Sequence, residues 1–181
     1  MGRNLIGENE YMKWAGKTVA GLAAFTIAAG AAVAAFAQNA NLNQSSYYVL
    51  SSQLRGTGFA LTGSNGDNMF MSRANGSAAQ QWRFTAAGNG YYRITAAHRA
   101  GDCVDVYNGG DQNNVAHLTN GCQDYSGQFW LVTGSNGSYR LTTEFRGTNM
   151  CLQAFRVPGS NTQLRACSDD PGQLWTLTPA G

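Results

Sequence analysis

Lysine and histidine are scarce in this 181-residue chain, and the remaining charges nearly cancel. Lys occurs only at positions 13 and 17, and His only at positions 98 and 117. Beyond residue 37 the sequence holds nine Arg against eight Asp and Glu, spread along the chain. Proteins that bind nucleic acid through its phosphates carry a clustered basic surface. The near-neutral balance therefore argues against a nucleic-acid partner.

The chain also lacks the motifs of the common catalytic and metal sites. It contains no Gly-x-Ser-x-Gly, no His-Glu-x-x-His and no Cys-x-x-Cys, which are signatures of serine nucleophiles and zinc sites. Asp169 and Asp170 form a carboxylate pair, but beside Pro171 they are typical of a solvated turn. Glycosidases usually need two carboxylates that flank the scissile bond. The sequence predicts no catalytic residue, no metal site and no cofactor.

Long amphipathic helices are missing as well. No stretch after residue 38 sustains an apolar period of 3.6 residues over ten or more positions. Short segments rich in Tyr, Phe, Val, Leu and Thr are instead bounded by Gly, Asn, Asp and Ser, which is typical of strands joined by tight turns. The 23 glycines suit many such turns. These patterns predict an all-β domain.

A threefold internal repeat dominates what is present. Three Gln-x-Trp triplets, whose tryptophans lie 48 and 45 residues apart, are Gln80-Gln81-Trp82, Gln128-Phe129-Trp130 and Gln173-Leu174-Trp175. Each unit opens with a Tyr-containing strand segment and runs through an Arg into a turn before it reaches its triplet. A period of this length indicates one supersecondary unit copied three times. The repeats are predicted at about residues 47–90, 91–137 and 138–181 of one domain.

The triplets favour a structural role over a functional one. Trp is a large apolar side chain that fills a core where repeats meet. The Gln two residues earlier points to the same face of a strand and can satisfy buried main-chain groups.

The N-terminal segment indicates secretion. Residues 18–36 contain only Ala, Gly, Val, Leu, Ile, Phe and Thr, and Ala35-Phe36-Ala37 closes the run. This pattern predicts a signal peptide at residues 1–37, cut after Ala37 or alternatively after Ala40, with Met12 as the expected initiator. The alternative is a retained membrane anchor, but the Ala- and Gly-rich run without a basic flank favours cleavage. Residues 38–46 read as a polar lead-in, and the protein is expected to be secreted, periplasmic or extracellular, with no stable membrane anchor.

Four cysteines follow this segment, an even number in a secreted context. Cys103 and Cys122 fall in repeat two, and Cys151 and Cys167 fall in repeat three. Pairing within each repeat is favoured among the three possible connectivities, and a zinc site is the competing interpretation. Repeat one has Phe59 and Ala74 where the cysteines are expected, so packing is predicted to replace the disulfide there.

The chain resembles the ricin-B-type β-trefoil lectins over about residues 47–181. The resemblance is carried by the three triplets, the in-repeat cysteine pairs and Cys103-Val104-Asp105-Val106. It implies a β-trefoil of three repeats with pseudo-threefold symmetry, in which six of twelve strands form a short barrel and six form a hairpin cap.

The resemblance also implies three positions for a sugar pocket in each repeat. They are a carboxylate two residues after the first Cys, an aromatic ring two residues before the second Cys, and a polar side chain just before the Gln of the triplet. Repeat two offers Asp105, Asn120 and Gly127, and repeat three offers Gln153, Arg165 and Gly172. Repeat one offers Leu61, Ser72 and Ala79, which are not expected to bind sugar in this way.

Other aromatic side chains are candidates to replace the missing ring. Tyr107 and Phe155 occupy the same place in their repeats, four residues after Cys103 and Cys151, and Tyr125 is a candidate for another wall. The alternative is that these rings pack under a hairpin turn. Asp105 is similarly open between a ligand contact and support of its own turn, and Asn120 or Gln128 is expected to add polar contacts.

Two functions follow from these residues. The first is a secreted, non-enzymatic carbohydrate-binding protein with degenerate pockets, which binds glycans or glycoconjugates mainly through repeat two. The second is a trefoil scaffold for a protein partner, such as a toxin accessory subunit or a protease inhibitor, because Phe155, Arg156 and Arg165 are residue types favoured at protein contacts.

Overall fold

Short strands separated by tight turns make up most of residues 38–181, which are the residues that the computed structural model describes. The predicted signal peptide and its start at Met12 lie outside the described residues. The strands are β1 (Tyr47–Ser52), β2 (Phe59–Gly63), β3 (Met69–Arg73), β4 (Trp82–Gly88), β5 (Tyr91–Ala96), β6 (Arg99–Val106), β7 (Ala116–Leu118), β8 (Trp130–Ser135), β9 (Ser138–Thr143), β10 (Gly147–Gln153), β11 (Gln163–Ala166) and β12 (Trp175–Pro179). Three single-turn 3-10 helices lie at Ala78–Gln80, Gly110–Gln112 and Ser126–Gln128. In this part of the chain, no helix is long and apolar enough to span a bilayer.

Six of the strands form a closed antiparallel barrel. β1 pairs with β4, β4 with β5, β5 with β8, β8 with β9, β9 with β12, and β12 returns to β1. Each successive run of four strands supplies its first and last strand to this ring. The predicted all-β fold with pseudo-threefold symmetry is confirmed.

The other six strands form three cap hairpins, β2–β3, β6–β7 and β10–β11. Single β-bridges join these hairpins to one another in a triangle, at Asn68–His117, Phe70–Asn161 and Val115–Gln163. The cap therefore has the same threefold arrangement as the barrel.

The triplet tryptophans connect the barrel to the cap. Trp82, Trp130 and Trp175 are fully buried. Their indole Nε1 atoms donate hydrogen bonds to the main-chain oxygens of cap residues 61, 104 and 152 at 3.0, 2.9 and 2.9 Å. Each indole thus fills the core and satisfies its one donor, as a buried Trp requires. The predicted core role of these residues is confirmed.

The Gln of each triplet is buried and holds the loop that precedes it. Gln80, Gln128 and Gln173 each accept a hydrogen bond from the main-chain N–H five residues earlier, at 2.8, 2.7 and 2.8 Å. In repeats one and three, the side-chain nitrogen donates to the main-chain oxygen of Arg73 or Ala166, at 2.8 and 2.9 Å. These contacts satisfy buried main-chain groups, as predicted.

Both cysteine pairs form disulfides within their repeats. Cys103 bonds Cys122 and Cys151 bonds Cys167, with Cα atoms 5.0 Å apart in each pair. Among the described residues no cysteine is free. The predicted pairing is confirmed, and the competing zinc interpretation is wrong because all four sulfur atoms are used in these bonds.

Repeat one is offset by one residue from the predicted frame. Because the three indoles bond Leu61, Val104 and Leu152, these residues are equivalent across the repeats. Ala60 therefore occupies the place of the first Cys, and Thr62 occupies the place of Asp105. The prediction that Phe59 and Leu61 fill these places was wrong, because Ala60 follows Arg55 by five positions, whereas Cys103 follows Arg99 by four.

Phe59 instead takes part in a contact with two arginines. The guanidinium carbon of Arg55 lies 4.0 Å from the centroid of the Phe59 ring, and that of Arg73 lies 6.0 Å from it. Cation–π packing of this kind stabilises the hairpin that has no disulfide.

The segment before β1 packs along the barrel. Asn39 forms a bridge with Thr133 in β8, and the main-chain N–H of Ala40 donates to Val132 O at 2.8 Å. The hydroxyl of Tyr92 donates to Ala40 O at 2.8 Å. Ala40 and Leu42 are buried, so residues 38–46 combine polar contacts with two apolar side chains of the core.

Candidate functional site

A pocket of about 490 Å³ lies where repeat two meets repeat three. Its wall comes from the end of β6, the loop before the second triplet, and the turn between β9 and β10. The residues that line it are Asp105, Val106, Asn108, Asp124, Tyr125, Ser126, Gly127, Glu144 and Phe145.

Asp105 is the buried carboxylate of this pocket. It lies on β6 with only 8% of its surface exposed. One carboxylate oxygen accepts from Val106 N at 2.6 Å, and the other accepts from Gln128 Nε2 at 3.1 Å. An ionised carboxylate offers about four lone-pair sites, so these two bonds leave acceptor capacity for a ligand. Asp105 thus bonds the main chain of the next residue in β6 and also lines the pocket.

Gly127 makes the space that this carboxylate occupies. A Cβ atom at position 127 would lie 2.0 Å from Asp105 Oδ1, far inside van der Waals contact. The polar side chain that the resemblance places before the triplet is thus incompatible with the observed position of Asp105.

Arg93 of β5 holds the loop before the second triplet in place. Its guanidinium donates to Gln123 O at 2.6 Å and to Asp124 Oδ1 at 2.5 Å, and it lies 4.8 Å from the centroid of the Phe129 ring. The side chain of Tyr125, between these anchors, is 62% exposed and projects beside the pocket. The loop therefore presents an aromatic ring from a fixed main chain.

The opposite wall comes from repeat three. Glu144 N donates to Phe129 O at 2.9 Å, and Phe145 N donates to Ser126 O at 3.1 Å. The guanidinium carbon of Arg146 lies 4.1 Å from the centroid of the Phe145 ring. A second aromatic side chain is thus held against the loop that carries Tyr125.

The pocket has an acidic character. Three carboxylates line it, from Asp105, Asp124 and Glu144, and only that of Asp124 forms an ion pair, with Arg93 at 2.5 Å. Within residues 38–181 no group of His, Cys, Asp or Glu has the arrangement of a metal site.

Tyr107 lies outside this pocket. Its ring stacks on that of His117 of β7, with centroids 3.6 Å apart and an interplanar angle of 7°. One face of Tyr107 is therefore covered, which agrees with the alternative that this ring packs within its hairpin. Burial raises the pKa of the Tyr107 hydroxyl, with a smaller contribution from the charge of Asp67.

His117 lies beneath the ring and across the strand from Asp105. Burial disfavours its charged form and lowers the pKa of the imidazole from its ordinary value of 6.5, while the Asp105 carboxylate opposes this shift. His117 therefore favours the neutral form in the folded protein.

The other predicted residues of repeat two take different positions. Asn120 is exposed and does not line the pocket. Gln128 is fully buried, and its amide holds Asp105 on one side and Gln123 N on the other. Gln128 thus positions Asp105 from within the core. Of the residues predicted for repeat two, the pocket brings together Asp105 and Tyr125.

Repeat three has no carboxylate at the place of Asp105. Gln153 stands there, and its oxygen accepts from Gln173 Nε2 at 2.9 Å. Its Nε2 donates to Asp170 Oδ2 at 3.4 Å, so both ends of the amide are used within the protein. Phe155 is half-buried, with the guanidinium carbon of Arg165 5.9 Å from its ring centroid.

Several pocket residues are not identifiable from the triplet spacing. Asn108, Asp124 and Ser126 flank the pocket, and Glu144 and Phe145 come from the next repeat. The sequence signal that could have found the last two is the repeated turn after each Tyr-containing strand, since the turn of one repeat contacts the loop of the preceding one.

Models of ricin-type lectin domains match nearly the whole described chain. A ricin-type β-trefoil lectin domain matches residues 90–181, and a ricin-type β-trefoil lectin domain-like model matches residues 35–120. No match was found among proteins with curated functions.

Solved structures with this fold include free-standing lectins and parts of larger proteins. A designed threefold symmetric protein, ThreeFoil, is 28% identical with a TM-score of 0.61, and the match covers 72% of this chain and 96% of that one. The Macrolepiota procera ricin B-like lectin in complex with lactose is 16% identical with a TM-score of 0.62, covering 76% and 98%. An exo-β-1,3-galactanase from Clostridium thermocellum is 21% identical with a TM-score of 0.62, and there the match covers 77% of this chain but 31% of the enzyme.

Proposed function

Because the chain belongs to the ricin-type β-trefoil lectin domain family, we propose that it is a secreted, non-enzymatic carbohydrate-binding protein whose main site is the repeat-two pocket. The observation that carries this proposal is the position of Asp105, a buried carboxylate that faces a pocket with an aromatic ring on either side.

The chemistry of the pocket suits a neutral sugar. Asp105 accepts hydrogen bonds from two neighbouring hydroxyl groups, and a charged acceptor makes stronger bonds than a neutral one. Gln128 fixes the carboxylate by its bond at 3.1 Å, so the acceptor is positioned before the ligand arrives. The rings of Tyr125 and Phe145 offer apolar faces for the C–H groups of the sugar, while Asn108 and Ser126 add polar contacts.

The disulfides support the proposed location. Such bonds persist in oxidising compartments and are rare in the cytosol, and both pairs here close loops on the cap hairpins. The non-enzymatic proposal is supported by the family to which the chain belongs.

A glycan array on residues 38–181 followed by titration calorimetry with lactose and the best array ligand tests the proposal. We expect Asp105→Asn to weaken binding by about tenfold or more, since it removes the charge from the central acceptor while keeping its shape. Tyr125→Ala is expected to weaken binding similarly without changing the melting temperature, because the side chain is mostly exposed.

Gln153→Ala is the matched control, since Gln153 stands at the place of Asp105 in repeat three. It is expected to leave the affinity unchanged. Undiminished binding by a correctly folded Asp105→Asn variant would rule out the repeat-two pocket.

A further inference from the structure

A continuous cationic surface lies where repeat three meets repeat one. Arg55 and Arg73 pack on the ring of Phe59, and Arg55 donates a hydrogen bond to the main-chain oxygen of Arg156. The surface continues along β10 and β11, where Arg165 packs on Phe155. We call this surface the arginine patch, and it consists of Arg55, Phe59, Arg73, Phe155, Arg156 and Arg165.

The four arginines of the patch have no carboxylate partner within the described part of the chain. The ion pairs of residues 38–181 involve Arg93, Arg99 and Arg140 instead. The Nε atom of Arg55 is buried and makes no hydrogen bond there. Four arginines that form no ion pair within residues 38–181 are therefore concentrated on one surface.

A pocket of about 370 Å³ opens in this patch, lined by Leu54, Arg55, Phe59 and Arg156. It is the threefold counterpart of the repeat-two pocket. In the repeat-three pocket, Leu54 N donates to Pro171 O at 3.0 Å, in the loop before the third triplet. In the repeat-two pocket, Phe145 N makes the equivalent bond to Ser126 O at 3.1 Å, in the loop before the second triplet.

The two counterpart pockets differ in charge. Arg156 follows Gln153 by three residues, as Asn108 follows Asp105, so a cation replaces an amide at the pocket rim. Gln153 stands in the place of Asp105, and the Asp170 carboxylate beside it accepts hydrogen bonds from Gln153 Nε2 and Gly172 N. Two guanidinium groups, from Arg55 and Arg156, line the repeat-three pocket, whereas three carboxylates line the repeat-two pocket. The side chains that line the two counterpart pockets therefore differ in the sign of their charge.

We propose that the arginine patch binds a sulfated glycan. The planar guanidinium group presents two parallel N–H donors to the oxygens of a sulfate, and stacking on a Phe ring holds its orientation before binding. A sulfate ester keeps its charge at every physiological pH. The choice of a glycan as the carrier of the anion rests on the proposed carbohydrate-binding function, whereas the preference for an anion rests on the patch alone.

Binding to immobilised dextran sulfate, with uncharged dextran as the matched polymer, tests this proposal. Residues 38–181 are expected to bind dextran sulfate and not dextran, with an affinity that falls as salt is raised. Arg156→Gln is expected to weaken binding by about tenfold, because each charge-assisted bond to the sulfate is lost together with its donor. The double variant with Arg165→Gln is expected to weaken it further, and both side chains are exposed, so the fold should be retained.

Arg83→Gln is the charge-matched control, since Arg83 packs on Tyr47, away from the patch. It should leave the affinity nearly unchanged. Asp105→Asn should also leave binding of dextran sulfate intact. Failure of the unmodified protein to bind lactose or any array glycan, with dextran sulfate still bound, would contradict the proposed function and not this inference.

Four results would overturn the proposal. The first three are failure to bind dextran sulfate, equal losses in Arg83→Gln and Arg156→Gln, and equally tight binding of a DNA oligonucleotide of the same charge at the same salt. The third result would mean that the patch attracts any polyanion. Capture of a protein partner that Arg156→Gln releases but excess dextran sulfate does not displace would equally contradict it.

Discussion

At the scale of single residues, Asp105 is placed by what its neighbours lack. Gly127 has no side chain, and the space that it leaves holds one oxygen of the carboxylate. Gln128 supplies the donor that fixes the other oxygen. The residue just before the triplet therefore contributes by its small size rather than by a polar group.

Gly127→Ala tests this arrangement. The new methyl group would lie 2.0 Å from Asp105 Oδ1, so the carboxylate must move. We expect lactose affinity to fall by about tenfold or more, with a stability loss of about 1–3 kcal/mol from overpacking. Gly101→Ala, on the strand β6 that carries Asp105, has open space around its Cβ and should change neither the affinity nor the unfolding midpoint.

The partly buried imidazole of His117 gives the protein a pH-dependent stability. Burial lowers the pKa of this group below 6.5, so at mildly acidic pH the unfolded chain binds a proton that the folded chain does not. Stability is therefore retained above pH 6.5 and is lost as the pH falls through the lowered pKa. The Asp105 carboxylate reduces the size of this effect because it attracts the charged form.

His117→Gln is expected to flatten the dependence between pH 7.5 and pH 5. Urea unfolding at both pH values measures it, and the difference in unfolding free energy should be smaller in the variant than in the unmodified protein. The variant also loses the stack on Tyr107, so its stability at pH 7.5 should be lower. An unchanged difference between the two pH values would show that other groups cause the dependence.

At the scale of elements, the hydrogen bonds of the three indoles identify the equivalent positions in the three cap hairpins. In hairpins two and three the residue just before the indole acceptor is the first Cys of a disulfide. In hairpin one that residue is Ala60, and Ala74 stands six residues before Gln80, as Cys122 stands before Gln128. The first hairpin therefore has the positions of a disulfide without its sulfur atoms.

Ala60→Cys combined with Ala74→Cys is expected to form a third disulfide. Its closed loop is about as long as those of the existing bridges, so the chain-entropy model gives about 3 kcal/mol of stabilisation. Thiol titration and urea unfolding check this result. Phe59→Cys combined with Ala74→Cys is the control, because it follows the sequence-based alignment of repeat one. The Phe59 side chain packs on Arg55 and is not equivalent to a cysteine of the other repeats. Efficient oxidation of the control alone would contradict the repeat equivalence.

The fold could be predicted from the sequence more completely than the candidate site could. Regularly spaced Trp and Gln residues identify the core, because each repeat must place the same side chain where the barrel meets the cap. The alignment of repeat one with the other repeats was predicted wrongly, since Phe59 resembles a core residue by type. The hydrogen bond from Trp82 to Leu61 gives the correct alignment. Phe145 was not predicted because its pocket joins segments of two different repeats, and the spacing within one repeat does not show that they meet.

At the scale of the whole molecule, the barrel closes only when all three repeats are present. Repeat three supplies β9 and β12, which pair with β8 of repeat two and β1 of repeat one. It also supplies the Phe145 wall of the repeat-two pocket. Both the fold and the proposed site therefore depend on contacts between repeats.

A fragment of residues 38–137 is expected not to fold as a monomer. Without β9 and β12, the main-chain groups of β1 and β8 lose their partners, and the tryptophan core loses one third of its members. Size-exclusion chromatography with circular dichroism during urea unfolding checks this outcome. A monomeric fragment with a sharp unfolding transition would contradict it.

The strand-like pairing of the lead-in with β8 bears on how the mature N-terminus is made. Gln38, Asn39 and Ala40 all contact β8, and Ala40 is buried. A protease that cuts after Ala37 leaves these contacts whole, whereas a cut after Ala40 removes them. Because Ala40 is buried and hydrogen-bonded to β8 in the folded protein, we expect a cut after it only before the barrel closes. On this expectation, folding protects the longer of the two predicted mature chains from further trimming.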